Sequence, residues 1–199
     1  MSTASVVLKR IFDFLISLIA LIIFLPIIFI CWILATIDTR SNGFFIQRRV
    51  GRNGKLFSVY KIKTMSNLGE SKRSSISLSN MNEITKLGAF LRKYKLDELP
   101  QLYNVLIGDM SFVGPRPDVP GYADALIGDD RIILSIRPGI TGPASIKYKD
   151  EEYILAEKED PRMYNDNVIW PDKVKINKHY ITNYSFIMDL HYILKTIKD

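Results

Sequence analysis

Cysteine is almost absent from this chain. Cys31 is the single one among 199 residues, so no disulfide framework can form within it. Histidine is nearly as scarce, with only His179 and His191, and together with one Cys they fall short of the usual zinc donor set. Any metal is then expected to be a hard ion held by oxygen, such as Mg²⁺. Acidic residues are outnumbered: 27 Lys and Arg against 21 Asp and Glu leave a formal net charge of +6. That balance admits nucleic acid, an anionic membrane surface or a phosphorylated substrate. Nucleic acid calls for aromatic stacking platforms among the basic residues. The basic turn Arg48-Arg49-Val50-Gly51-Arg52-Asn53-Gly54-Lys55 has none, so no nucleic-acid partner is expected. Internal repeats are missing, as is any linker between two soluble domains. The length suits one domain with a real core plus an appendage.

The appendage is an apolar run. Phe14 to Ile37 carries no charge over 24 residues, about 36 Å of helix and enough to cross a bilayer core. A cleaved signal peptide fits poorly, because the run is too long and no Ala-x-Ala site follows. Pro26, near the middle, argues against a straight spanning helix, since it removes a backbone bond and clashes with the preceding turn. Lys9 and Arg10 precede the run, and Arg40, Arg48, Arg49, Arg52 and Lys55 follow it. Positive charge marks the cytoplasmic side. Basic residues at both ends favour a helix that enters, bends at Pro26 and returns to the same face. Asp13 stands one turn after Arg10, a spacing at which the two can pair.

Beyond residue 40 the pattern becomes strand-like. Phe44 to Ile46 and Leu56 to Ile62 read as two strands joined by a turn at Asn53-Gly54. Lys61 and Lys63 stand near the end of the second strand and can either reach a phosphate or remain solvated. Leu68 to Asn82 holds five serines and few apolar residues, and reads as a loop. Ile84, Leu87, Phe90, Leu91 and Tyr94 return to helical spacing, closed by Arg92, Lys93 and Lys95.

Next comes Lys95-Leu96-Asp97-Glu98-Leu99-Pro100-Gln101-Leu102. Pro100 is tolerated in a first helical turn, and Leu99, Leu102, Tyr103 and Leu106 continue at helical spacing. Asp97 at that helix start is expected to stay ionised in the field of the macrodipole. An ionised aspartate is a candidate nucleophile or metal ligand, or simply an N-cap. The helix is expected to end near Gly108. Two prolines then frame Arg116 in Gly114-Pro115-Arg116-Pro117. A held guanidinium suits bidentate phosphate binding, although an ordinary Pro-rich turn has the same composition. Arg137-Pro138-Gly139 is a second such turn. Residues 149–162 are charged. The last stretch, 172–198, is amphipathic, with Phe186, Ile187, Leu190, Ile193, Leu194 and Ile197 on one side, against the core or the membrane interface.

These motifs, with Lys9-Arg10-Ile11-Phe12-Asp13, Tyr60-Lys61-Ile62-Lys63-Thr64-Met65 and Gly139-Ile140-Thr141-Gly142, resemble the bacterial sugar transferase family over nearly the whole chain. These are small monotopic polyprenol-phosphate phosphoglycosyl transferases. The resemblance implies an α+β, mostly α fold: a re-entrant membrane helix-break-helix over residues 1–40, and a cytosolic catalytic domain of interfacial helices and a short β-hairpin over 41–199. It implies an enzyme of the bacterial inner membrane, on the cytosolic face with both ends cytoplasmic. Such an enzyme moves a sugar-1-phosphate from a UDP-sugar to undecaprenyl phosphate and releases UMP, the first membrane step of a surface or glycoprotein glycan. By the same resemblance Asp97 is the covalent nucleophile and Glu98 holds Mg²⁺. Lys61, Arg92 and Arg116 are the motif cations, and Arg137 is a further candidate substrate contact. Leu25 stands where some members have Ser before the proline, and Pro143-Ala144-Ser145-Ile146 follow the Gly-Ile-Thr-Gly turn where many have an aromatic and Gln-Val. The rival reading is a non-catalytic basic membrane adaptor that binds anionic lipid. It leaves the Asp-Glu pair and the two proline-framed arginines unexplained.

Overall fold

Twenty-four uncharged residues in a row have one low-cost conformation away from water, a helix that satisfies its own backbone. In the computed structural model, which describes residues 3–66 and 84–198, α1 spans Thr3–Thr39 with Pro26 inside it. Helix continues on both sides of Pro26, so the proline does not divide α1 into two helices as expected; a long helix absorbs one lost bond by bending. The middle of α1 is bare, with Ile19, Ile22, Ile23 and Leu25 each more than half exposed. Its two ends are not. Near the start, Lys9 Nζ meets Asp189 Oδ2 at 2.5 Å, and Arg10 donates to the carbonyls of Val105 and Leu106, both at 2.7 Å. Near the end, Ile28, Cys31 and Ala35 form one cluster with Ile62 and Leu91. Arg10 therefore does not pair with Asp13. Its guanidinium caps the last carbonyls of a neighbouring helix, which have no partners of their own. Asp13 instead accepts the Phe112 amide at 3.1 Å.

The hairpin forms as the pattern requires. Strands β1 (Phe44–Val50) and β2 (Leu56–Ile62) pair antiparallel from Phe44↔Ile62 to Val50↔Leu56. Asn53 and Gly54 both take the left-handed conformation in the turn, φ 59° and 77°. Expected loop residues 68–82 lie outside the described residues. Helix α2 (Lys86–Lys93) starts on the side chain of Thr85, which accepts from the Gly88 amide. Gly88 is dictated by contact: a Cβ there would stand 2.0 Å from the Thr64 carbonyl oxygen. That approach seats α2 on the end of the hairpin. Helix α3 (Gln101–Ile107) ends at Gly108, φ 94°. Buried Asn104 ties α3 to β2, donating to the Ser58 carbonyl and accepting from the Tyr60 amide.

The two Pro/Gly turns prove to be one structure. Strands β3 (Ser111–Val113) and β4 (Gly139–Thr141) pair in parallel, Ser111↔Gly139 and Val113↔Thr141. Their backbones cross so closely that a Cβ on Gly139 would lie 2.2 Å from the Gly114 nitrogen. The remainder is helical: α4 (Pro143–Lys147), α5 (Glu151–Ala156), α6 (Pro161–Tyr164), a π-helical turn (Asn165–Ile169), α7 (Trp170–Thr182) and α8 (Phe186–Lys198). Val113, Ile133, Val174, Tyr180 and Ile181 make the largest core. The amphipathic face expected on α8 splits. Ile193 packs toward that core, while Ile187, Leu194 and Ile197 are exposed. Asp189 is the buried anchor of α8, accepting from Lys9, Tyr180 and Tyr184. The chain is thus mostly helical, with one long apolar N-terminal helix and small two-stranded sheets.

Candidate active site

Lys95 adopts a left-handed conformation (φ 54°) and turns the chain out of α2 into a single 3-10 turn, Leu96–Glu98, ahead of α3. Asp97 on that turn is buried, 8% exposed, and Glu98 beside it is nearly so. Because Asn104 fixes α3 against β2, Lys61 at the end of β2 faces the turn. Its Nζ lies 2.7 Å from Glu98 Oε1. Arg116 arrives from the β3 side, Nη2 to the same oxygen at 3.2 Å, with its guanidinium half exposed. Arg92 is held by Thr64 Oγ1 at 3.0 Å and acts electrostatically on Asp97. Four of the expected site residues besides Asp97, namely Lys61, Arg92, Glu98 and Arg116, therefore gather around one turn. Arg137 does not join them: its Nε is bound to the Gly108 carbonyl at 2.6 Å, and its charged neighbours are Arg10, Arg52, Asp13 and Asp109. It serves the C-terminal end of α3, where carbonyls lack partners.

The two carboxyls are driven apart. Burial would raise Glu98, but Arg116 and Lys61 overcome it and hold the group at about 2. Burial and the charge on Glu98 raise Asp97 above the usual aspartate value, against Lys61 and Arg92. The expected dipole effect does not decide this site, since α3 starts only at Gln101 and burial outweighs it. Adjacent titratable groups with opposed shifts mark a site built for chemistry more often than a solvated pair. Lys61 is pulled down by burial despite Glu98, and Arg116 is raised by Glu98.

A divalent ion needs oxygen donors that this set can supply only in part. The described residues contain no cluster of three or more His, Cys, Asp or Glu side chains that could hold a metal alone. Glu98 is fully ionised at neutral pH, and both its bonds use Oε1, which leaves Oε2 as an oxygen donor. One carboxylate completed by waters and substrate phosphate is the way Mg²⁺ is commonly held. The residues fit such an ion, which Glu98 would hold. Three cations and one ionised carboxylate beside a buried aspartate form a charge arrangement of the kind that suits a phosphate ester.

A sequence model of the family described as "Bacterial sugar transferase" matches residues 4–199. The chain belongs to the bacterial sugar transferase family. Among its relatives, a UDP-glucose:undecaprenyl-phosphate glucose-1-phosphate transferase of Klebsiella pneumoniae is 34% identical over 97% of this chain and 40% of its own length. A UDP-N-acetylgalactosamine-undecaprenyl-phosphate N-acetylgalactosaminephosphotransferase of Aeromonas hydrophila is 30% identical over 96% of this chain and 43% of its own. The exopolysaccharide production protein ExoY of Rhizobium meliloti is 32% identical over 95% of this chain and 83% of its own. The chain thus spans under half the length of two of these relatives and most of the third.

Within this member of the family, a second charged layer lies behind Arg116 that the sequence reading missed. Arg49 donates to Gln47 and to the Pro117 carbonyl, and Lys173 pairs with Glu151 at 2.5 Å. Asp118 sits among Arg49, Arg116 and Lys173, and burial raises it to about 6. Nothing local marks these residues, because β1, the β3 turn, α5 and α7 meet only in the folded chain. Position alone, two residues after Arg116, was the available signal for Asp118.

Proposed function

We propose that this chain transfers a sugar-1-phosphate from a UDP-sugar to undecaprenyl phosphate and releases UMP, through a phospho-sugar intermediate on Asp97. The observation that carries the reading is the buried Asp97 next to an ionised Glu98 that Lys61 and Arg116 already clamp. The names of the relatives supply the substrate class, and they differ in the sugar. A carboxylate oxygen of Asp97 attacks the β-phosphorus, the bond to the UMP oxygen breaks, and the electron pair leaves on UMP. An oxygen of the lipid phosphate then attacks the same phosphorus and returns Asp97 as a carboxylate. Lys61, Arg92 and Arg116 bind and orient the diphosphate and stabilise charge on its oxygens. Mg²⁺ held by Glu98 would supply further neutralisation of the diphosphate. The test omits the lipid: UDP-sugar and Mg²⁺ alone should release up to one equivalent of UMP and leave the mass of a sugar phosphate on Asp97. Lipid-dependent release without an adduct would overturn the covalent step.

Arg116 bonds Glu98 through one nitrogen, so its remaining donors are available to the substrate. Arg116→Lys keeps the charge and loses the fork, and should lower kcat/KM by about 10- to 100-fold. Wild-type kinetics would remove Arg116 from the site.

The domain arrangement belongs to the same proposal, with residues 1–40 as a re-entrant membrane hairpin and 41–199 as the cytosolic catalytic domain on the inner membrane. Arg10 and Cys31 are 21 positions apart, about 32 Å along a straight helix. Both nevertheless rest on the body formed by the hairpin, α2 and α3, while the apolar middle of α1 is bare. A bend at Pro26 reconciles the two contacts. A cysteine introduced at Thr3, with Cys31→Ser, should react with an impermeant maleimide only after cells are opened. Labelling of intact cells would overturn the same-side topology.

A further inference from the structure

A cleft of about 460 Å³ opens between the segment after Arg116 and the start of α7, lined by Val119, Tyr122, Leu126, Arg162, Asp166 and Trp170. That volume is within the range of small-molecule sites. Its walls are chemically specific. Tyr122 and Trp170 meet edge to face, centroids 5.4 Å apart, which leaves one ring with both faces clear of its partner. The Tyr122 hydroxyl donates to Asp166 Oδ1 at 2.9 Å, and Asn165 Nδ2 donates to the same oxygen at 3.1 Å. Asp166 Oδ2 faces Arg162 Nε at 3.9 Å, and the Arg162 guanidinium is largely exposed. Asp166 and Trp170 are presented by the π-helical turn Asn165–Ile169 and the residue that follows it. Such turns are rare and recur at functional sites. Nothing in the proposed phosphate chemistry uses these groups.

We infer that this cleft holds the uridine of the nucleotide-sugar donor, with the uracil on the Tyr122–Trp170 pair, its N3–H donating to Asp166 and a ring carbonyl accepting from Arg162. The inference rests on the transferase reading above. The in-line geometry of phosphoryl transfer selects the nucleoside over the sugar. The leaving group departs on the side opposite the nucleophile. Lys61 and Arg92 act on Asp97, whereas Arg116 reaches Glu98 and is not among the charges that act most on Asp97. The chain from Arg116 runs through Pro117, Asp118 and Val119 directly into the cleft, and Tyr122 is within about 20 Å of Arg116 even if the segment were fully extended. A diphosphate bound by Arg116 would then have its nucleotide beside the cleft whose lining begins three residues along the chain, at Val119.

The test uses the full chain in detergent with Trp32→Phe, which leaves Trp170 as the single tryptophan. UMP should quench its emission saturably, and glucose 1-phosphate should not. Asp166→Asn and Arg162→Ala should each weaken that quenching about tenfold. In the UMP-release assay the same variants, and Trp170→Ala, should raise the donor KM about tenfold with kcat within about twofold, while Trp170→Phe should retain most of the affinity. Arg162 is exposed, so its variant keeps the test valid if Trp170→Ala folds poorly. Quenching by glucose 1-phosphate instead of UMP, or unchanged quenching and KM in Asp166→Asn and Arg162→Ala, would overturn the assignment. Absence of UMP release from the wild type would count against the transferase reading, and the UMP titration would still judge the cleft.

Discussion

Asp97→Asn should abolish the adduct and slow UMP release by at least about a thousandfold, the scale of losing a covalent nucleophile. Asn keeps the size of the side chain and the 3-10 turn around it, so donor affinity should stay near that of the wild type. The stability of the variant adds a second readout. Burial and Glu98 raise the Asp97 carboxyl above its unfolded value. A carboxyl shifted up favours the folded state when protonated, and that contribution is lost as pH rises through the folded value. At pH 7.5 the native protein therefore bears the cost of an ionised, buried Asp97, and Asn relieves it. The thermal midpoint of Asp97→Asn should equal or exceed that of the wild type at pH 7.5, with the gap closing below about pH 4, where both states hold a neutral aspartic acid. Active sites commonly trade stability for chemistry in this way. Lipid-dependent UMP release with no adduct in the wild type would reassign Asp97 as a second metal ligand or a base, with lipid phosphate as the direct attacker, and an unchanged rate in Asp97→Asn would remove Asp97 from the chemistry.

Much of this geometry was legible where the signal is local. The hairpin followed from alternation and Asn53-Gly54, and α3 from its apolar spacing and the stop at Gly108, but Asp97 and Glu98, expected at the start of that helix, stand on a separate 3-10 turn before it. Lys61, Arg92 and Arg116 could be named as cations near the site, yet only tertiary packing shows that they share one carboxylate neighbourhood. Asn104 is the residue that makes the meeting happen, and it reads in sequence as a polar interruption of an apolar face. Arg137 has the same Pro/Gly frame as Arg116 and a different task, because β3–β4 pairing puts one arginine toward Glu98 and the other toward the end of α3. Three-residue strands carry too little pattern to foresee that pairing. The face of α8 was ambiguous for a related reason. Its buried anchor is Asp189, a charged residue whose three partners come from α1, α7 and the turn before α8.

Glu98→Gln should fail in the opposite thermodynamic direction. Glu98 is held at about 2, against burial, by Arg116 and Lys61. A carboxylate shifted down stabilises the fold above its unfolded value of about 4.3 and loses that contribution as pH falls through the folded value. At pH 7.5 the whole contribution is present in the wild type. Gln keeps the volume and removes the charge, leaving Lys61, 24% exposed, and Arg116 as uncompensated neighbours. Breaking a buried pair costs about 3–5 kcal/mol, but the half-exposed Arg116 is screened, so about 2 kcal/mol is the fair expectation here. The thermal midpoint at pH 7.5 should drop accordingly and converge on the wild type as pH is lowered toward 2. Turnover should fall by about a thousandfold at ordinary Mg²⁺, through loss of the charge that holds the ion against the diphosphate. Raised Mg²⁺ should restore part of it, which it cannot do for Asp97→Asn. The pair of variants thus separates the two carboxylates on two axes, metal rescue and the sign of the stability change. Glu98→Gln that is as stable as the wild type at pH 7.5 would show that the Lys61–Glu98–Arg116 cluster does not stabilise the fold. Failure of Mg²⁺ to rescue it at any concentration would remove Glu98 as the metal ligand.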